Sequence, residues 1–457
     1  DGRLTLEERT QYVPTVGERV YRWAKRHPSM IYFGVISTVT LLVFVLMLEI
    51  APISTTGYAL LLILLLAIPA SEVGVAVVNK LVTVIVPPHL LPKMDYRDEG
   101  IPAQARTAVV VPTLFATVAS VREALEHLEV QYLANPDPNL RFVVLSDFTD
   151  ARTETLAGDA HVVDAIESGV RGLNDKYRTP SDAGPFLIFH RARRWNETEG
   201  VWMGWERKRG KLAEFNRFLR GGSTDAFPVI AGDPSWLVDV RYVITLDSDT
   251  VLPRGAAAQL VGTMAHPLNR AEYDETLGRV TRGYGILQPR VGVALTSAYR
   301  SKFAAIHSGH PGVDPYTTAV SDVYQDLYGE GSFTGKGIYD VNAFEEATHG
   351  RFPENTLLSH DLIEGTYTRA GLVTDIELYD DYPTRYLAYT RRKHRWIRGD
   401  WQILSWLGTT VPGPDGLEPN RLSTLSRWKI FDNMRRSLVE IALLVLLLVG
   451  WFILPGS

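Results

Sequence analysis

Cysteine is absent from all 457 residues, and that absence removes several chemistries at once. Disulfides, thiolate metal sites and a cysteine nucleophile are excluded, so any bound metal must be held by oxygen or imidazole. A strong charge bias is also missing. Lys and Arg number 47 against 52 Asp and Glu, a net charge of -5, so nothing global points to nucleic acid and the basic residues cluster only locally. No internal repeat or low-complexity tract occurs. The chain does have an uneven spread of apolar residues. Three stretches are too apolar for a soluble surface, which implies a membrane protein with a soluble middle.

Residues 1–29 are polar and end in a basic cluster, Arg19, Arg22, Lys25 and Arg26, directly before the first apolar run. That bias places the N-terminal side in the cytoplasm. A transmembrane hairpin is expected over 30–71. The apolar run after Glu72 is interrupted by Asn79 and Lys80, which suits an interfacial helix and linker over 72–94 better than another span. A soluble domain then fills 95–400, followed by an interfacial helix and linker over 401–434. A last span, 435–457, opens with Arg435 and Arg436 and again starts on the cytoplasmic side. The chain begins without Met and its last apolar run nearly reaches Ser457, so both ends look cut and more of the same polypeptide is expected beyond them.

The soluble middle alternates strand-like and helix-like segments, the pattern of an α/β sheet. Strands are expected at 108–111, 142–145, 186–189 and 242–246, with helices at 118–134 and over the basic stretch 208–221. Successive strands then carry Thr113, Asp147 and Asp247 to one sheet edge, where open α/β sheets bind nucleotides. Asp247 and Asp249, one residue apart after a buried strand, offer oxygen ligands to a hard cation. Two other readings stay open here. An acidic turn has the same spelling. So does the first motif of haloacid-dehalogenase-like phosphatases, with Asp247 as nucleophile, Mg2+ as cofactor and Lys336 as a candidate lysine.

Three further stretches follow. Residues 329–340 are glycine-dense, which lets backbone approach a substrate closely. Asp361 follows a turn after Ser359 and His360. In 391–402, Trp396 and Trp401 interleave with cations, as wanted where sugar rings stack and a diphosphate must be neutralised.

This order resembles the membrane-embedded, processive glycosyltransferases of GT-A fold, such as cellulose and hyaluronan synthases. Their early Asp, DxD, glycine-rich acceptor segment, isolated Asp and QxxRW correspond here to Asp147, Asp247-Ser248-Asp249, residues 329–337, Asp361 and Arg392 to Trp396. Two residues depart from that pattern: His360 stands where Glu is usual, and Arg392 stands at the Gln of QxxRW. With GEGSFTGKGIYDV and SHDLIEG, these details look closer to the glycosyltransferase module of bacterial cyclic β-1,2-glucan synthases, which are large inner-membrane proteins.

The resemblance implies a Rossmann-like GT-A domain inserted between transmembrane helices, with an amphipathic interfacial helix after the RxxRW motif. It further implies UDP-glucose as donor, a glucan acceptor, and a multi-pass protein of the inner membrane with its catalytic domain in the cytoplasm. Asp249 is the expected direct ligand of Mg2+ or Mn2+, with Asp247 beside it. Thr113 and Asp147 would hold uridine, while Lys208 and Arg395 would neutralise phosphate. Asp361 would be the general base and Trp396 the floor under the acceptor sugar. A growing chain held on the protein itself would need a phenol, with Tyr316 expected ahead of Tyr324 and Tyr328. A degenerate, glucan-binding scaffold is the non-enzymatic alternative.

Overall fold

The computed structural model describes residues 2–50, 59–179, 182–308 and 321–452. They form two compact units. The smaller comprises Asp1–Pro88, Asp326–Gly329 and Phe431–Ser457; the larger comprises His89–Gln325 and Glu330–Ile430.

In the smaller unit, α1 (Pro28–Ile50) and α2 (Ala59–Ile85) are long and apolar enough to cross a membrane, with mean hydropathy 2.5 and 2.4 over their apolar spans. They approach closely where α2 lacks a side chain. A Cβ on Gly74 would lie 2.1 Å from the Thr40 hydroxyl. The Tyr32 hydroxyl donates to the buried Asn79 side chain at 2.7 Å. Helix α2 does not stop at Glu72 as the sequence suggested. The Glu72 carboxylate meets Arg435 at 2.8 Å, and Arg435 also binds Asp432 at 2.7 Å. Partnered polar groups do not terminate an apolar helix, so the expected interfacial helix over 72–94 is instead the second half of α2 followed by irregular chain. The last expected span falls within the helix Thr424–Phe452; residues 453–457 lie outside the described residues.

The larger unit is built on one eight-stranded sheet. Its strands in chain order are β1 (Thr107–Phe115), β2 (Leu140–Phe148), β3 (Phe186–Arg191), β4 (Val229–Ala231), β5 (Tyr242–Thr245), β6 (Ile286–Val293), β7 (Gly337–Asp340) and β8 (Ala370–Asp380). In space the order is β8-β6-β7-β5-β1-β2-β3-β4. Strands β1, β2, β3 and β5 pair in parallel, as do β6 and β8, whereas β4 and β7 run against their neighbours.

Side chains alternate between two faces. Val109, Val111, Phe142, Val144, Phe186 and Ile188 meet helices α3 (Val118–Ala134), α4 (Asp159–Tyr177) and α6 (Ala256–Ala265) on one side. Ala108, Val110, Val143, Leu145, Leu187 and Phe189 meet Leu212, Phe215 and Leu219 of α5 (Arg207–Leu219) on the other. Coverage on both faces explains why these strands read as continuous apolar runs. Helix α3 starts where the sequence placed it, because Thr117 and Ser120 cap each other's backbone N–H.

Helix α7 (His360–Tyr367) precedes β8, and the RxxRW residues lie inside α8 (Tyr386–Gln402). No interfacial helix follows them directly. A 3-10 turn, Ile403–Leu407, leads into a hairpin of Thr410–Gly413 and Gly416–Pro419, and helix resumes only at Thr424. Gly408 and the turn Gly413-Pro414-Asp415-Gly416 break helical continuity there.

Candidate active site

Asp247 lies two residues beyond β5, whose four residues are all buried, with the buried Leu246 between. The chain then turns, with Thr250 N–H donating to the Asp247 carbonyl at 3.0 Å and Val251 pairing with Tyr379 of β8. This brings the Thr250 hydroxyl to Asp380 Oδ1 at 2.6 Å. Because β7 runs antiparallel, it enters the sheet at the edge where β5 and β8 leave it, with Gly337 opposite Thr245. Lys336 is thereby set beside both carboxylates. Its Nζ lies 2.8 Å from Asp247 Oδ2 and 2.8 Å from Asp380 Oδ2.

Lys208 arrives from the first turn of α5. Its Nζ donates to Asp247 Oδ1 at 2.6 Å and to the Gly335 carbonyl at 2.9 Å. Just before it, Glu206 and Arg207 both hold positive φ, at 50° and 48°, a backbone cost that tends to be kept at functional positions. Gly335 also touches the remaining carboxylate. A Cβ there would lie 2.8 Å from both oxygens of Asp361, so residues far apart in sequence meet around one glycine.

Electrostatics follow from this packing. Burial alone would raise the Asp247 carboxyl, but Lys208 and Lys336 hold it well below the usual carboxylate range. Asp249 moves the other way, pushed up by burial and then by the neighbouring carboxylates of Asp380 and Asp247. Burial opposes the charge on Lys208 and Lys336, yet Asp247, helped by Asp361 and Asp380 respectively, holds both ammonium groups above their ordinary value. Asp249 itself makes no ion pair or hydrogen bond among the described residues. Open carboxylate oxygens near Asp247 and Asp380, with no thiolate in the chain, fit a hard divalent cation such as Mg2+ or Mn2+.

The nucleotide end differs from expectation. Asp147 is 1% exposed, and its oxygens are taken by Arg191 at 2.6 and 2.9 Å and by Lys211 at 3.1 Å. Gly204 closes over it, so Asp147 has no open oxygen for a direct contact with uridine. Its work is to order cations: Arg191 also binds Glu214 at 2.6 Å, and burial lowers the Lys211 ammonium to about 8. Thr113 is half-buried at the end of β1, and its carbonyl accepts from Lys211.

On α8, Arg395 is exposed and makes no ion pair among the described residues, while Trp396 is 46% exposed beneath the Arg392 guanidinium at 4.9 Å. The charge of Arg392 also acts on Asp249. Tyr316 lies outside the described residues. Of the alternatives, Tyr324 is buried and accepts from the Trp428 indole at 3.1 Å, and Tyr328 packs edge-on against Tyr32. Sequence reasoning missed Asp380 and Thr250 beside Asp247, and weighed Lys336 only for the phosphatase reading. Asp380 carried a usable signal, since it too is an acidic residue ending an apolar strand.

An α/β sheet with acidic strand ends on one edge, two lysines between them and a glycine-rich strand entering there is the class of open sheet that binds its ligands at the strand ends. The particular likeness is to a glucan synthase. The chain is 43% identical over 453 residues to the cyclic beta-(1,2)-glucan synthase NdvB of Rhizobium meliloti (strain 1021), covering 98% of this chain and 16% of that protein. It is 27% identical over 334 residues to glucans biosynthesis glucosyltransferase H of Cupriavidus pinatubonensis (strain JMP 134 / LMG 1197), covering 68% of this chain and 31% of that one. The chain thus spans less than a third of either relative. No protein-family model matches it. Among solved structures, S. aureus TarS 1–349 aligns with TM-score 0.33 and 11% identity over 72% of this chain and 70% of that one. The same fragment in complex with UDP aligns at TM-score 0.30 and 12% identity over 65% of each.

Proposed function

We propose that the larger unit transfers glucose from UDP-glucose to a growing β-1,2-glucan with inversion at the anomeric carbon, as part of a membrane-bound cyclic β-1,2-glucan synthase. The observation that carries this reading is the meeting of Asp247, Lys208 and Asp361 at Gly335. NdvB, a cyclic beta-(1,2)-glucan synthase by name, supports the choice of product and linkage.

Asp361 takes the proton from the acceptor 2-hydroxyl as its oxygen attacks the anomeric carbon in line. The bond from that carbon to the diphosphate oxygen breaks, so an α-linked donor gives a β-linked product. Lys208 and Lys336, paired with the carboxylate cluster, and Arg392 and Arg395 on α8 neutralise the departing charge. Asp249, with Asp247 beside it, would hold Mg2+ or Mn2+, and the ion would supply positive charge to offset the diphosphate. Thr113 borders the uridine pocket, with Arg191 and Lys211 ordered behind it by Asp147. Trp396 offers its ring face to the acceptor sugar.

Membranes containing the protein, incubated with radiolabelled UDP-glucose and Mg2+, should yield a β-1,2-linked polymer; none should form with EDTA or in Asp361→Asn. Another linkage in the product would point to a different polysaccharide synthase. UDP-glucose binding without turnover in the presence of metal would favour the scaffold reading.

A further inference from the structure

Asp361 does not stand alone on α7. His360 precedes it and Glu364 follows about a turn later, both buried at 6% and 4% exposure. His360 Nδ1 lies 2.9 Å from Glu364 Oε2 and 3.5 Å from Asp361 Oδ1. The spacing of His360 and Glu364 places them on one helix face, so the contact is built into the helix.

The proton on this ring can be assigned. Burial alone would raise the Glu364 carboxyl, but His360, Arg209 and Lys208 bring it below its ordinary value, so it is ionised and can only accept. Nδ1 therefore carries the hydrogen. The three side chains each bring a ligand atom within 4.8 Å of the others, so the cluster is tight. It also gives Asp361 a neighbour. Asp361 Oδ1 is buried and has no hydrogen-bond partner of its own among the described residues, and the His360 N–H stands beside it.

We propose that His360 is a positioning residue for Asp361: its ring, anchored through Nδ1–H on Glu364, stands 3.5 Å from Asp361 Oδ1 and leaves Oδ2 for the acceptor hydroxyl. The inference rests on the reading of Asp361 as the base. In the transfer step the acceptor oxygen bonds to the anomeric carbon, the bond to the diphosphate oxygen breaks, and the hydroxyl proton passes to Oδ2. Oδ1 keeps its place against the anchored ring throughout, so the carboxylate does not rotate as its charge is lost. A misaligned base loses much of the advantage of a fixed geometry.

The test compares variants in membranes carrying the whole polypeptide, with UDP-glucose as substrate and UDP binding as the check on folding. His360→Leu should lower kcat on the order of 10- to 100-fold while KM for UDP-glucose stays within about two-fold. His360→Asn puts an amide N–H near the place of Nδ1 and should recover most of that loss. Glu364→Gln keeps the ring and its volume but weakens the anchor, and should lower kcat by a smaller factor even if the leucine variant does not fold. Wild-type kcat in both His360→Leu and Glu364→Gln would overturn the inference. So would an asparagine variant no better than leucine when both bind UDP normally, because the ring would then only fill space. Asp361→Asn at wild-type kcat would instead remove the base itself, and that result is read without any His360 variant.

Discussion

At the scale of single residues the site turns on a glycine. Gly335 holds φ at +89°, a conformation that side chains rarely adopt, and its missing Cβ leaves room beside both oxygens of Asp361. Alanine there would be strained and would press on the proposed base at 2.8 Å. Gly335→Ala should therefore lower kcat about 100-fold or more, and should cost roughly 1 kcal/mol in stability. Lys208 must also shift, since it bonds the Gly335 carbonyl. Steady-state rates beside thermal unfolding separate the two effects. A variant with wild-type kcat would show that the crowding at Asp361 is relieved without consequence for transfer.

At the scale of elements, the direction of β7 decides which cation meets which carboxylate. Run parallel to β5, Gly337 would begin at the far edge and Lys336 would never reach Asp247. That direction was not legible: a strand of four residues carries no local sign of which way it runs, and the glycine-rich stretch before it reads as a substrate loop. The ends of β2 and β5 were legible because each is a buried apolar run closed by an acidic residue. Side-chain partners were not. Asp147 looks free in sequence, and only the fold brings Arg191 and Lys211 onto it. Glu72 looks like a helix end until Arg435, from the other end of the chain, pairs with it. The placement of Lys336 has a measurable consequence. Lys336→Met leaves Asp247 and the largely buried Asp380 without the ammonium between them, which should cost about 3 kcal/mol when no divalent cation is present. Mn2+ should recover part of that loss, so the rise in unfolding temperature on adding Mn2+ is expected to be larger in the variant than in the wild type. Equal rises would mean that Lys336 and the cation do not share these carboxylates.

At the scale of the whole molecule, stability itself should depend on pH through a group outside the reacting centre. His190 on β3 is buried with its ring stacked near Phe115 at 6.2 Å and edge-on to Phe148 at 4.2 Å. Nδ1 lies 2.8 Å from the Ser146 hydroxyl, while Nε2 is buried with no hydrogen-bond partner among the described residues. Burial lowers the imidazole from the usual 6.5 to about 4, against the opposing pull of Asp147. Between those values the unfolded chain binds a proton that the folded chain refuses, so stability is complete above 6.5 and is lost as pH falls toward 4. The full loss is about 3 kcal/mol. Carboxylates titrate in the same window, so the comparison must be with a variant. In His190→Gln, which keeps a polar group against Ser146 but has nothing to protonate, unfolding temperature measured across this range should fall less steeply than in the wild type. Parallel curves would mean that the folded protein accepts the proton at His190, and that β2 and β3 part locally to let water in.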